Sequence, residues 1–593
     1  MAYTPIKPSQ VRTDNTDSLM AKSGVNKRDL PQLLSTDYAL DIQNYFIVGE
    51  GGLAKRKGIN KIFEETGTEG LTMLVEWTDD VWIYGYGTKL KAYRVSTNTK
   101  IDIKTDFVEA HFSGDTAGDY FMVASPQDKI GRISMTLDYD AQTSDFTVGT
   151  ILTGGTSGAT ATILEDSDSG TTGTLTLGDI VGTFEDNEVV TDSVTGSADV
   201  NGTLTFTYTE ISTAPKARIV KVIGTRCYAG DLEGARDTVQ YSDISTTVNP
   251  PFNGWNVDTD PDHGDQLNYR GAGIVNDIIA YSKFIVVMAS KGWWSYYSET
   301  IDSAGTLKKA SKFNMYRKDE IGASKAIMTD EGIFYVNSTG VHQLVQLQQE
   351  NVDYSKQEVL SSELLGNTYF NDVEFDDVEM AYMNEKNTLL ISCRKDAEKN
   401  NFIIAYNVKL KSFSFFKGLS IGAFMQTGTA LYGASSVDNK IYKMFTGNDD
   451  DGKDIWTRYY QEVSIGGLNS RKALLGQYFQ GKLSATSELD IAFDVYDKRG
   501  LFIGRKKAMT WSSDASDSTI EEYGRALYGS ASFGGDSDTA GAIENYAGGR
   551  CRINNLQRLR IDITENSKVY HEIHFFTLIT RVKSMIRKRN LTY

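Results

Sequence analysis

The residues able to do chemistry are few and widely spaced. His111, His263, His342, His571 and His574 are the only histidines, which leaves general-base and metal chemistry few candidates. His571 and His574 stand three apart on a segment that reads as a strand, so they face opposite ways and make a poor metal pair. Cys227, Cys393 and Cys551 are far apart and form no C-x-x-C, which argues against a disulfide scaffold and a zinc ribbon. "DTDPDHGDQ", Asp258 to Gln266, crowds carboxylates, but the sixth and twelfth positions of a calcium loop are His263 and Tyr269 rather than Gly and Glu. That stretch and "NDDDGKD" read either as polar turns or as incidental cation sites. Trp293-Trp294 with Tyr296-Tyr297 reads as a sugar-stacking platform or as packing between sheets. There is no G-x-x-x-x-G-K-[ST] loop, G-x-S-x-G elbow, H-E-x-x-H helix, dinucleotide fingerprint or sialidase Asp-box. The expectation is a protein that is not an enzyme, with no catalytic residue, cofactor or metal.

The elements that would carry these residues are strands. A chain of 593 residues with 54 Gly, 32 Tyr and 26 Phe, but only eight Pro, favours strands joined by Gly, Asn and Asp turns. The length suggests three or four units. The start, "MAYTPIKPSQVRTDNTDSLM", lacks a secretory pattern, and no apolar run approaches the roughly 20 residues of a membrane helix, so a soluble chain without stable membrane association is expected. From Leu71 onward, strand-turn-strand units recur, beginning with "LTMLVEWTDDVWIYGYGTKLKAYRV" and ending with "IGAFMQTGTALYGASSVDNKIYKMF". Six or seven sheets of three to four strands fit a divergent β-propeller, an arrangement that protects strand edges by radial repetition. The resulting division is an extended arm over 1–38, ordering on a neighbouring subunit or left disordered; a first propeller/platform part over 39–141; an inserted β-module over 142–207; the rest of the propeller over 208–447; and a C-terminal β-sandwich or platform over 448–593. The fold class is all-β.

Charge is concentrated. No Lys or Arg occurs between Arg132 and Lys216, an interval of 83 residues with thirteen acids, which carries -13 of the net -17. Its Gly- and Thr-rich alternation and its apolar residues Ile163, Leu164, Leu175, Leu177, Ile180, Val181, Phe184, Val189 and Val190 predict a small autonomous β-module in a surface loop. Against this acidity, "GEGGLAKRKGINKIFEE" places Lys55, Arg56 and Lys57 between glycines, with Leu53, Ile59, Ile62 and Phe63 as anchors. It reads as a tight hairpin whose basic tip is either solvated or touches an acidic surface. A second basic cluster, "RVKSMIRKRN", holds Arg587, Lys588 and Arg589 and reads as a solvated or subunit-binding end, with DNA contact as an alternative.

Several stretches resemble the tail nozzle proteins of short-tailed bacteriophages, also called tail tubular protein B. "NYFIVGEGGLAKRKGI" from Asn44 matches that family's Asn segment, Gly-Gly-Leu, basic cluster and Gly, with Lys57 where a proline is common. "RCYAGDLEGARDTVQYSDI", "NPPFNGWNVDTDPDHGDQLNYRGAG" and "ASKAIMTDEGIFYVNSTGVHQL" also fit its blades, so that the resemblance spans roughly 39–445. It implies a virion component of the phage tail, assembled in the host cytoplasm. Six copies would form a tube below an adaptor ring, with fibres or spikes outside and viral DNA passing transiently through the lumen. Lys55, Arg56, Lys57, Arg587, Lys588 and Arg589 are the expected subunit or adaptor contacts. The competing readings are a host-glycan-binding tail propeller and a polysaccharide hydrolase.

Overall fold

The computed structural model describes residues 13–583, apart from 17–20, 22, 50–51, 246–250, 258–262, 269–270, 282–283, 298–299, 302–306, 309–311, 318–321, 350–351, 362–363, 367–368, 465–470, 485–487, 497–501, 513–530, 533–541, 550–552, 557 and 569. Within it, seven antiparallel four-strand units follow one another in chain order. Their first strands are Leu71–Thr78, Ser113–Ala117, Ala217–Ile223, Val275–Tyr281, Lys325–Thr329, Glu374–Met383 and Ile421–Thr427. These strands touch in that order and the seventh touches the first, so the units are the blades of a closed seven-bladed β-propeller. Second strands such as Val81–Tyr86 and Gly332–Asn337 are buried at every position. A blade is covered on both faces by its neighbours, which accounts for near-continuous apolar runs where a one-sided sheet would alternate. Each of the seven blade interfaces has its own apolar cluster. Trp293 belongs to the one between the fourth and fifth blades, with Met288, Ile333 and Leu344. Of the two readings of the Trp-Trp pair, this residue takes the packing one.

The seventh blade is completed from the other end of the propeller sequence. Its fourth strand is Gly58–Glu64, which pairs with Lys440–Gly447 and runs directly into the first blade. Glu65, just past that strand, accepts hydrogen bonds from Tyr84 Oη (2.5 Å) and Lys91 Nζ (2.9 Å) of the first blade.

The acidic interval is a barrel grown from the second blade. The strand Asp128–Ser144 pairs in its first half with Tyr120–Ser125 and Thr205–Glu210, then in its second half with Gly173–Val181 and Ser197–Val200. With Thr160–Asp168, Ile151–Gly154 and Val189–Asp192 between those partners, the order closes on itself as a six-stranded antiparallel barrel. Leu152, Ile163, Leu175, Val190 and Val200 fill it and are inaccessible, whereas Val181 and Val189, expected inside, point outward. The barrel springs from the outer two strands of its blade, at the propeller rim. With no Lys or Arg between Arg132 and Lys216, it satisfies its buried acid with backbone: the Glu188 carboxylate accepts from the N–H of Thr156, Ser157 and Glu185 at 2.7–3.1 Å and from Ser157 Oγ at 2.8 Å. Burial opposes its charge, but these donors outweigh burial and hold its pKa below the ordinary glutamate value.

The remaining strands form a two-sheet sandwich. One sheet continues the sixth blade: Ser412–Lys417 pairs with the short strand Asp41–Gln43, followed by Ile455–Ser464, Arg558–Ser567, Glu488–Tyr496 and Phe502–Ser512. The other places the hairpin Tyr45–Val48 and Gly52–Lys55 beside His571–Lys583, then Arg471–Ser484 and Ala542–Gly549. Leu53, Leu474, Ile491, Phe493, Ile561 and Ile573 are inaccessible and share one apolar cluster with the fifth and sixth blades. Residues 41–55, within the expected first propeller/platform part, stand in the sandwich sheets. The end of the arm also meets its own chain: Val25 N donates to Phe413 O of the sixth blade and Lys27 N to Leu364 O of the segment leading into it.

Two outcomes follow. A Cβ on Gly58 would stand 1.8 Å from Asp449 O, a backbone atom that cannot swing away, so Gly58→Ala is expected to cost about 1–3 kcal/mol in urea unfolding. Glu188 has a folded pKa below its unfolded one, so its contribution is present above the unfolded value and is lost as pH falls through the folded value. The melting deficit of Glu188→Gln should therefore be largest near neutrality and shrink toward pH ~3; a deficit independent of pH would contradict this account.

Candidate functional site

Two polar assemblies tie together residues that are far apart in the sequence. The first lies where propeller and sandwich join. Asn44 separates the strand Asp41–Gln43 from the hairpin and has φ +59°, a left-handed conformation that Asn tolerates better than most residues. Its side chain binds three places at once: Nδ2 donates to Trp456 O (2.7 Å), and Oδ1 accepts from Lys417 N (3.0 Å) and Arg56 Nε (2.8 Å). Arg56, 1% exposed, also forks onto Asp450, with Nη1 2.8 Å from Oδ1 and Nη2 2.5 Å from Oδ2. Beside it, Lys55 Nζ is 2.5 Å from Glu565 Oε2, both side chains being 1% exposed. His571 Nδ1 is 3.7 Å from that same oxygen, while its Nε2 is 2.6 Å from Tyr45 Oη, which is in turn 3.1 Å from Thr457 Oγ1. Burial lowers the Lys55 pKa despite Glu565, and burial raises that of Glu565 to about 7 despite Lys55.

The second assembly bridges the propeller axis. Arg218 of the third blade has Nη2 3.8 Å from Asp377 Oδ1 of the sixth, and Nε donates to His111 Nε2 (3.2 Å) at the start of the second. Lys325 of the fifth blade is 3.3 Å from Glu379 Oε1 of the sixth. Burial, then Arg218 and Lys325, depress the His111 pKa to about 3, so its imidazole stays neutral and acts as an acceptor. Burial works against the Lys325 charge, but Glu379 and Asp277 overcome it and hold the ammonium protonated. Of these contacts, Arg218–Asp377 joins blades three apart and so reaches across the axis, with both side chains still partly exposed.

The predicted site residues have different fates. Lys55 and Arg56 do not stand at a tip: the strand register with Ile573 and Glu572 carries the chain inward, and each cation meets a carboxylate from far along its own chain. Lys57 is exposed, as expected of a tip residue. Arg587, Lys588 and Arg589 lie outside the described residues, as do Asp258 to Asp262 of the carboxylate-rich stretch and Cys551. Cys227 and Cys393 are buried thiols. In "NDDDGKD" three of the four acids are engaged by cations: Asp449 by Lys568 (3.2 Å), Asp450 by Arg56 and Asp451 by Lys440 (2.7 Å). Sequence reading missed Asp450, Glu565 and His571 as partners, because nothing local pairs residues 394 and 510 positions apart.

Removing one member of a buried charge pair leaves the other uncompensated, so Arg56→Ala is expected to cost about 3–5 kcal/mol. Asn44→Gly, which keeps the backbone conformation but loses three hydrogen bonds, should also destabilise. Chemical denaturation of both variants tests this; a change within about 0.5 kcal/mol for Arg56→Ala, the scale of an ordinary surface substitution, would show that the junction is solvated.

No family model matches the chain, and no curated protein matches it either. Among solved structures it aligns with one titled "Crystal Structure of Mitotic Checkpoint Complex", with TM-score 0.33 and 7% identity over 66% of this chain and 92% of that one. A second, "Structure of U3-55K", gives TM-score 0.33 and 6% identity over 66% of this chain and 98% of that one. Neither likeness identifies a family or an activity.

Proposed function

We propose that this chain is a structural subunit of a short-tailed phage tail, joining copies of itself into the nozzle through which DNA leaves the virion. The observation that carries the reading is the position of the segment on which the resemblance rests. "NYFIVGEGGLAKRKGI" contains the hub Asn44, the sandwich hairpin and both buried cations, so the stretch that resembles the nozzle family is the one that makes propeller and sandwich a single piece.

Two further features support it. The Arg218–Asp377 pair reaches across the propeller axis, which fits a DNA path between subunits rather than through a propeller. A conduit wall of mixed charge suits sliding, because each neutralised phosphate adds salt-dependent affinity that would hold the duplex. At the far edge of the blade-continuous sheet, the strand Phe502–Ser512 pairs on one side only among the described residues, with Phe502 57% and Ile503 62% exposed. Such an edge, apolar at Phe502 and Ile503 and basic at the exposed Arg505 and Lys506, is suited to receiving another chain.

Antibody raised against the chain should label the tail axis below the collar in electron micrographs of virions, and the purified protein mixed with its adaptor should form rings of about six copies. Label on peripheral fibres, or a stable trimer that binds sugar, would replace this reading with a fibre or spike. Lys57→Ser should leave the melting temperature unchanged while weakening association with the adaptor; unchanged association would remove Lys57 as a contact.

A further inference from the structure

The buried pair Lys55–Glu565 has the arrangement of two reactants. Nζ and Oε2 are 2.5 Å apart, at hydrogen-bond contact, and neither side chain is more than 1% exposed. The strands that carry them, Gly52–Lys55 and Arg558–Ser567, come from opposite ends of the chain and are fixed by their own sheets, so the two groups are held together before any reaction. We infer that Lys55 Nζ and Glu565 Cδ condense to an intramolecular isopeptide bond that staples the N-terminal hairpin to the C-terminal sandwich.

The chemistry balances without a cofactor or a redox partner. The neutral amine attacks Cδ of the protonated carboxyl, a tetrahedral centre forms, and Oε2 leaves as water with its own proton and one from the nitrogen. The products are one secondary amide and one water, with no net change in protons or electrons. Burial favours the uncharged forms that react, pushing the Lys55 pKa down and the Glu565 pKa up to about 7. Asp454 and Arg56 also act on the pair: Asp454 favours the ammonium of Lys55 and the protonated form of Glu565, and Arg56 disfavours the ammonium.

A candidate proton carrier stands beside the pair. His571 Nδ1 lies 3.7 Å from the leaving oxygen, and its Nε2 meets Tyr45 Oη at 2.6 Å, so a shift of about half an ångström would bring the imidazole within proton-transfer reach of that oxygen. Condensation also removes two charges from a dry interior, where their desolvation offsets much of their attraction. The product would close a covalent ring over nearly the whole described chain.

Intact-mass spectrometry of the purified full chain tests this directly. The expected mass is one water below that of the sequence, and a proteolytic digest should contain a branched peptide joining the segments around Lys55 and Glu565. Lys55→Arg keeps the cation but lacks the amine, and should show the full mass and no branched peptide. Full mass in the folded wild-type protein after prolonged incubation overturns the inference, whether or not the variant folds. So does an equal loss of water in Lys55→Arg, because dehydration would then lie elsewhere.

Discussion

The fork of Arg56 on Asp450, with Asn44 beneath it, is the constraint on which the rest of the molecule rests. Residues 41–64 serve three structures in succession: a strand that extends the sixth blade, a hairpin inside the sandwich and the strand that completes the seventh blade. Such a short segment can satisfy all three only if its turns are fixed. The left-handed Asn44 sets the first turn, and Arg56, bonded back to Asn44 through both its backbone N–H and its side chain, sets the second. A fully desolvated guanidinium is tolerated because its donors find acceptors of matching planar geometry.

A buried charge is weak evidence for stability, since apolar replacements of similar shape often do as well. It is better understood as a device of register. Apolar contacts along a sheet are nearly degenerate under a slip of two residues, whereas a buried Lys or Arg that loses its carboxylate is left uncompensated. The acidic interval solves the same problem with backbone N–H groups, on Glu188 and on Asp192, which accepts from Thr147, Val194 and Gly196. That solution explains how a module with thirteen acids and no Lys or Arg in its interval still carries a buried carboxylate.

Much of the architecture was legible because it is written locally. Paired apolar runs separated by Thr78-Asp79-Asp80 or Gly87-Thr88-Lys89 announce blade hairpins, and a cation-free Gly/Thr stretch announces an insertion. The charge locks are not written locally. "GLAKRKG" has the composition of a solvated turn, and only the register of Gly52–Lys55 on His571–Lys583 turns Lys55 inward. The axial cluster was illegible for the same reason. Arg218, Lys325, Asp377 and Glu379 are ordinary surface residues by type, and Arg218 meets Asp377, and Lys325 meets Glu379, only because first strands of the blades converge on one axis.

The origin of the seventh blade's outer strand has a consequence for how the chain is made. Gly58–Glu64 leaves the ribosome before any blade exists, yet its partner Lys440–Gly447 is synthesised some 380 residues later. The ring cannot close, and the first blade cannot bury its flank, until the last blade is complete. Contacts of such long range impose a slow and late step on folding, during which one β-edge stays open to wrong partners. The same circularity makes unfolding cooperative, because no blade can leave without opening the ring at both of its faces.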